Sequence, residues 1–101
     1  MRIVEVFLPL DRGDGSPIEP DLIGGFVAGL ADRFGGATAY SRAPADGVWK
    51  GDHGLERDRI LVIEVMLEAL DEAWWRAYRS RLEAELGQEQ ILIRVTDCWK
   101  V

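Results

Sequence analysis

Residues 60–67, ILVIEVML, set seven apolar side chains around one carboxylate, Glu64. The run is far shorter than the ~18 residues a membrane-spanning helix needs and is rich in β-branched residues, so it reads as a strand. A strand of this kind is covered on both faces. Because a buried carboxylate is costly unless paired, Glu64 must face a second layer of protein or a ligand rather than a closed core.

Three other segments alternate in the same way, and two carry helical spacing. Residues 2–10, RIVEVFLPL, form an expected first strand with Val4, Val6 and Leu8 on one side and Ile3, Glu5 and Phe7 on the other. Pro20 opens a helix whose Ile23, Phe26, Val27, Leu30 and Phe34 recur at helical spacing before Gly35 and Gly36. ATAYSR at 37–42 reads as the second strand, and the third runs from about Arg59 to Leu67. The Gly/Pro/Asp-rich connection 43–57 reads as a hairpin extension with its turn at Gly51 to Gly54. Asp71 is a natural N-cap for a second helix ending at Gly87, with Trp74, Tyr78, Leu82 and Leu86 as its core stripe and Trp75 at the margin. QILIRVTDCW closes the chain as the fourth strand.

The order βαββαβ is that of the ferredoxin-like class: α+β, a four-stranded antiparallel sheet in the order 4-1-3-2, both helices on one face. At 101 residues, one domain over 1–101 is expected. Each strand must turn its apolar set to the helices, so alternation assigns the uncovered face. That open face receives Ile3, Glu5 and Phe7; Thr38, Tyr40 and Arg42; Ile60, Val62, Glu64 and Met66; and Leu92, Arg94, Thr96 and Cys98. Glu5 and Glu64 fall on the central strands and Arg94 and Arg42 on the outer ones, a pattern that suggests two cross-strand ion pairs. Their apolar neighbours make the surface unsuited to open water, and homodimerisation is the expected cover.

Composition narrows the classes of function. A formal charge of −6 without a basic patch argues against nucleic-acid binding, and 48% hydrophobic with 30% charged residues is ordinary for a globular chain. The single Cys98 fits a reducing, cytoplasmic setting and excludes cysteine-based zinc sites. Asp46, Asp52, His53 and Glu56 miss the spacing of a calcium loop, so neither metal nor cofactor is expected. His53 in GDHG has no nucleophile to serve and reads as a loop residue; Cys98 lacks an evident base. The ligand-binding candidates are Arg42, Arg94, Glu64, Tyr40 and Trp49. Two functions fit: a homodimeric module that binds a small molecule or protein through its sheet face, or a small cofactor-independent enzyme of isomerase or monooxygenase type. The enzyme would use Glu64 or Glu5 for proton transfer, Tyr40 to assist, and Arg42 or Arg94 to fix an anionic substrate.

RFGGATAYSRAPADGVWK, RDRILVIEVM and the Trp-Trp segment resemble a group of short uncharacterised bacterial proteins with FGG-T, Pro-x-x-Gly-x-Trp, Glu-Val-Met and Trp-Trp in this order. That resemblance implies the fold and a standalone protein, and no activity. More remotely, the pattern is similar to dimeric ferredoxin-like enzymes such as small monooxygenases and lactone isomerases, a likeness of fold alone. The chain lacks the Met-x-Cys-x-x-Cys of copper chaperones, the RNP aromatics of RNA-recognition motifs and the anion loop of acylphosphatases.

Overall fold

The computed structural model describes residues 1–101, the side chains of residues 41–44 excepted. Its elements are β1 (Arg2–Pro9), α1 (Pro20–Phe34), β2 (Thr38–Gly51), β3 (Gly54–Leu67), α2 (Glu72–Leu86) and β4 (Ile93–Asp97). The strands make one antiparallel sheet in the order β2-β3-β1-β4, an α+β arrangement consistent with the ferredoxin-like class.

Local chemistry sets the helix ends. Pro20, whose missing N–H costs nothing in a first turn, opens α1, and Gly35 closes it at φ 85 with its N–H bonded to Ala31. Asp71 caps α2 by accepting the Trp74 N–H at 3.1 Å, and Gly87 ends it at φ 61. The Glu83 carboxylate accepts the Ile91 N–H at 2.9 Å, which fixes the path from α2 into β4.

One sheet face and both helices share a single core. Val4, Val6, Leu8, Ile63, Leu82 and Leu86 are fully buried in it, joined by Phe26 and Leu30 of α1. The buried stripe of α2 is Trp75, Tyr78, Leu82 and Leu86, whereas Trp74 is only half-buried. This corrects the expected stripe: 75, 78, 82 and 86 hold the helical spacing, and Trp74 lies at the margin, stacked on Tyr78 and under the Arg33 guanidinium at 4.4 Å.

Tyr78 is buried with no acceptor for its hydroxyl among the described residues, and burial pushes the phenol up to about 12. Its folded-state value lies above the ordinary unfolded value of about 10. The associated stability is therefore intact below pH ~10 and is lost as pH rises through the folded-state value. Tyr78→Phe is expected to flatten this alkaline decline in urea titrations and, by removing an unpaired hydroxyl, to leave neutral-pH stability unchanged or raised by about 1 kcal/mol.

The hairpin of β2 and β3 is longer than two ordinary strands. Its ladder runs unbroken from Ala45↔Ile60 to Gly51↔Gly54, the turn expected from the glycines, after a register shift between Tyr40 and Ala45. Ladder pairing of β1 with β3 stops at Pro9↔Ile60, so residues 45–59 project as a two-stranded arm.

Candidate functional site

The face away from the helices is ordered in rows. Thr38, Glu64, Glu5 and Arg94 are successive cross-strand partners, one from each strand. On one side of this row Tyr40 pairs with Val62 and Val62 with Phe7, whose N–H bonds the Leu92 carbonyl; on the other Ile3 pairs with Met66 and Thr96. A carboxylate row thus lies between two largely apolar ones.

The two acids have different partners. Arg94 donates from Nε to Glu5 Oε1 at 2.8 Å, and its guanidinium lies 4.9 Å from the Phe7 ring centroid. The bond to Glu5 raises Arg94 above its ordinary value. Glu64 instead accepts the Tyr40 hydroxyl on Oε2 at 3.0 Å, and that bond, with the carboxylate charge, pushes the Tyr40 phenol up. Among the described residues no cation lies within ion-pair reach of Glu64. One of the two expected cross-strand pairs is therefore present, Glu5 with Arg94; the other relied on Arg42, whose side chain lies outside the described residues. Tyr40 as the neutral partner of Glu64 is signalled in sequence only by its position two residues from Thr38 on the same strand face.

Glu5 and Glu64 are Cα partners, and like charges directly opposite destabilise a sheet. Arg94 offsets that repulsion. Arg94→Met is expected to lower the melting temperature at pH 7, as checked by melting curves of the variant and the unaltered chain.

Trp49 joins this face from the arm. Ala45, Gly47 and Trp49 are partners of Ile60, Asp58 and Glu56, so they share the open side. A Cβ on Gly47 would stand 2.7 Å from the Trp49 indole nitrogen and 2.6 Å from Ile60 Cδ1, so the missing side chain lets the indole lie back toward Ile60. Ile60, expected to be open, is consequently buried at 6% exposure, while Trp49 itself remains 44% exposed. His53 is exposed at the arm's tip, Cys98 is half-buried, and no cluster of metal-ligating side chains occurs among the described residues.

Two hollows lie elsewhere. A groove of about 350 Å³ separates α2 from the edge strand β4, lined by Trp75, Arg79, Ile93 and Val95; it leaves Val95, the partner of the buried Val4, 40% exposed. A larger one of about 880 Å³ runs along α1 beside Ile18, Val27 and Leu61. Neither is lined by Glu5, Tyr40, Glu64, Arg94 or Trp49, so the candidate residues share an open surface that needs a cover to exclude water.

Comparison with solved structures finds the same fold in a phage SAM lyase. Its complex with S-methyl-5'-thioadenosine matches at a TM-score of 0.69 and 17% identity, covering 95% of this chain and 80% of that one. The apo form matches at 0.63 and 17%, covering 94% and 78%. The likeness is one of fold. No family model and no curated protein matches the chain. No helix among the described residues is long and apolar enough to cross a membrane.

Proposed function

We propose that the open sheet face binds a small cationic molecule with a flat apolar body, closed over by a second copy of the chain. The observation that carries this reading is the Tyr40–Glu64 hydrogen bond. A neutral donor orients the carboxylate and leaves its charge uncancelled among the described residues, while Glu5 beside it is neutralised by Arg94. Phe7, Val62 and Met66 flank Glu64 and supply the apolar bed on which a flat ring system can lie. The fold likeness to a phage SAM lyase seen with S-methyl-5'-thioadenosine supports a thioether or sulfonium nucleoside as the first ligand to test.

Calorimetric titration with S-methyl-5'-thioadenosine and with its S-methylated sulfonium separates charge from shape, since the two differ by one methyl group and one positive charge. The sulfonium is expected to bind at least about tenfold more tightly, a difference of ~1.4 kcal/mol. Equal affinity would refute the cationic preference. Absence of binding by both would refute the site.

The lyase name of the structural neighbour favours a second reading on the same residues. Glu64 takes a proton from the carbon next to the one bearing the sulfonium; the C–H pair becomes a C=C bond, and the C–S pair leaves with sulfur as a neutral thioether. Tyr40 holds the carboxylate in place, Arg94 keeps guanidinium N–H groups beyond the one on Glu5 for an anionic group, and Glu5 is the alternative base. Release of S-methyl-5'-thioadenosine from a sulfonium nucleoside that carries a carboxyalkyl chain on sulfur, lost in Glu64→Gln, is the expected result.

A further inference from the structure

The arm formed by residues 45–59 has two unlike faces. Trp49, Glu56 and Asp58 lie on the open side, whereas Val48, Lys50, Leu55 and Arg57 lie on the side that continues the helix-covered face. On that second side no helix lies over the arm: Val48 is 48% and Leu55 73% exposed, and neither Lys50 nor Arg57 has an anionic partner among the described residues. A two-stranded ribbon without a covering layer is marginal in water. The ribbon therefore calls for a surface that is apolar in the middle and negative at its rim.

The same chain carries one. The groove of about 880 Å³ along α1 is floored by Ile18, Ile23, Val27 and Leu61, and Arg59 at the arm's base is already engaged by Asp11 at 3.2 Å. On α1, beside the lining residues Pro20 and Ala31, stand Asp21 and Asp32, both exposed and without a cationic partner among the described residues. An arm cannot fill its own groove. Leu61 in the groove wall and Leu55 near the tip lie on one extended strand, about 20 Å apart at ~3.3 Å per residue.

We infer that the arm of one copy docks in the α1 groove of another, Val48 and Leu55 covering the apolar floor and Lys50 and Arg57 meeting Asp21 and Asp32. The inference stands independently of what the open sheet face binds. Such a contact joins two different surfaces, so it closes reciprocally in a dimer or around a ring where the rotation allows, and otherwise propagates as an open filament.

Sedimentation velocity at micromolar concentration tests it with two charge-reversed chains, Lys50→Glu/Arg57→Glu and Asp21→Lys/Asp32→Lys. Both alter exposed side chains, and far-UV circular dichroism checks that each remains folded. Each folded variant alone is expected to sediment as a smaller species than the unaltered chain, and their equimolar mixture to recover the size of the unaltered chain. A variant that sediments like the unaltered chain, or a mixture that stays at the size of the separate variants, would overturn the inference. If either variant fails to fold, Leu55→Asp replaces it, with loss of assembly expected and full assembly contradicting the contact.

Discussion

Leu82→Ala is expected to lower the melting temperature by roughly 10–30 °C, the largest effect of any single truncation proposed for this chain. Leu82 is fully buried in the α2 stripe, within the core shared by both helices and the inner face of the sheet. Removing three buried carbons forfeits their transfer free energy and opens a cavity that the close-packed surroundings fill only in part, ~2–5 kcal/mol together. That is a large share of the ~5–15 kcal/mol typical of a whole domain. Urea denaturation of the variant should show a lower midpoint with an unchanged slope, since the surface exposed on unfolding is nearly the same. A midpoint like that of the parent would show that α2 does not pack through this stripe.

The second large effect concerns binding. Glu64→Gln keeps the shape of the side chain and an acceptor for the Tyr40 hydroxyl but removes the charge, so affinity for the sulfonium is expected to fall by about 10- to 100-fold, the lower part of the range for close charge pairs at an interface. Affinity for the neutral thioether should change little. The same substitution removes one of two facing carboxylates, so the fold should melt at the same temperature or higher. This separates recognition from a structural role: a residue retained for stability would show the opposite pattern, a lower melting temperature with the two ligands equally affected.

The strands and faces were legible because alternation is a local property. Val4, Val6 and Leu8 against Ile3, Glu5 and Phe7 admit only one orientation once a core has to be buried, and the observed burial follows it. Turn chemistry was equally local: Gly51 and Gly54 marked the end of the arm because a tight reversal needs a residue like Gly54, which sits at φ 112. What alternation could not show was contact between residues distant in the chain. Trp74 and Trp75 both fit a helical stripe within one position and Phe34 packs against both at 5.1 Å, so only the assembled core shows that Trp75 is the interior one. Parity places Ile60 on the open face, where it lies, but its burial depends on Trp49 lying back over Gly47, which no periodicity encodes. Glu5 with Arg94 could be anticipated from strand order and register, whereas the choice of Tyr40 as the partner of Glu64 depends on how far a phenol reaches across one strand spacing.

The central claim is that the working surface is the sheet face bearing Glu64, rather than either groove beside the helices. Titration of isotopically labelled protein with the S-methylated sulfonium, followed by NMR, tests it most directly. The account predicts that the largest shifts fall on Glu5, Phe7, Tyr40, Val62, Glu64, the Met66 methyl and the Arg94 side chain. Shifts concentrated instead on Ile23, Val27 and Ala31 of α1, or on Arg79 and Val95 beside β4, would contradict it.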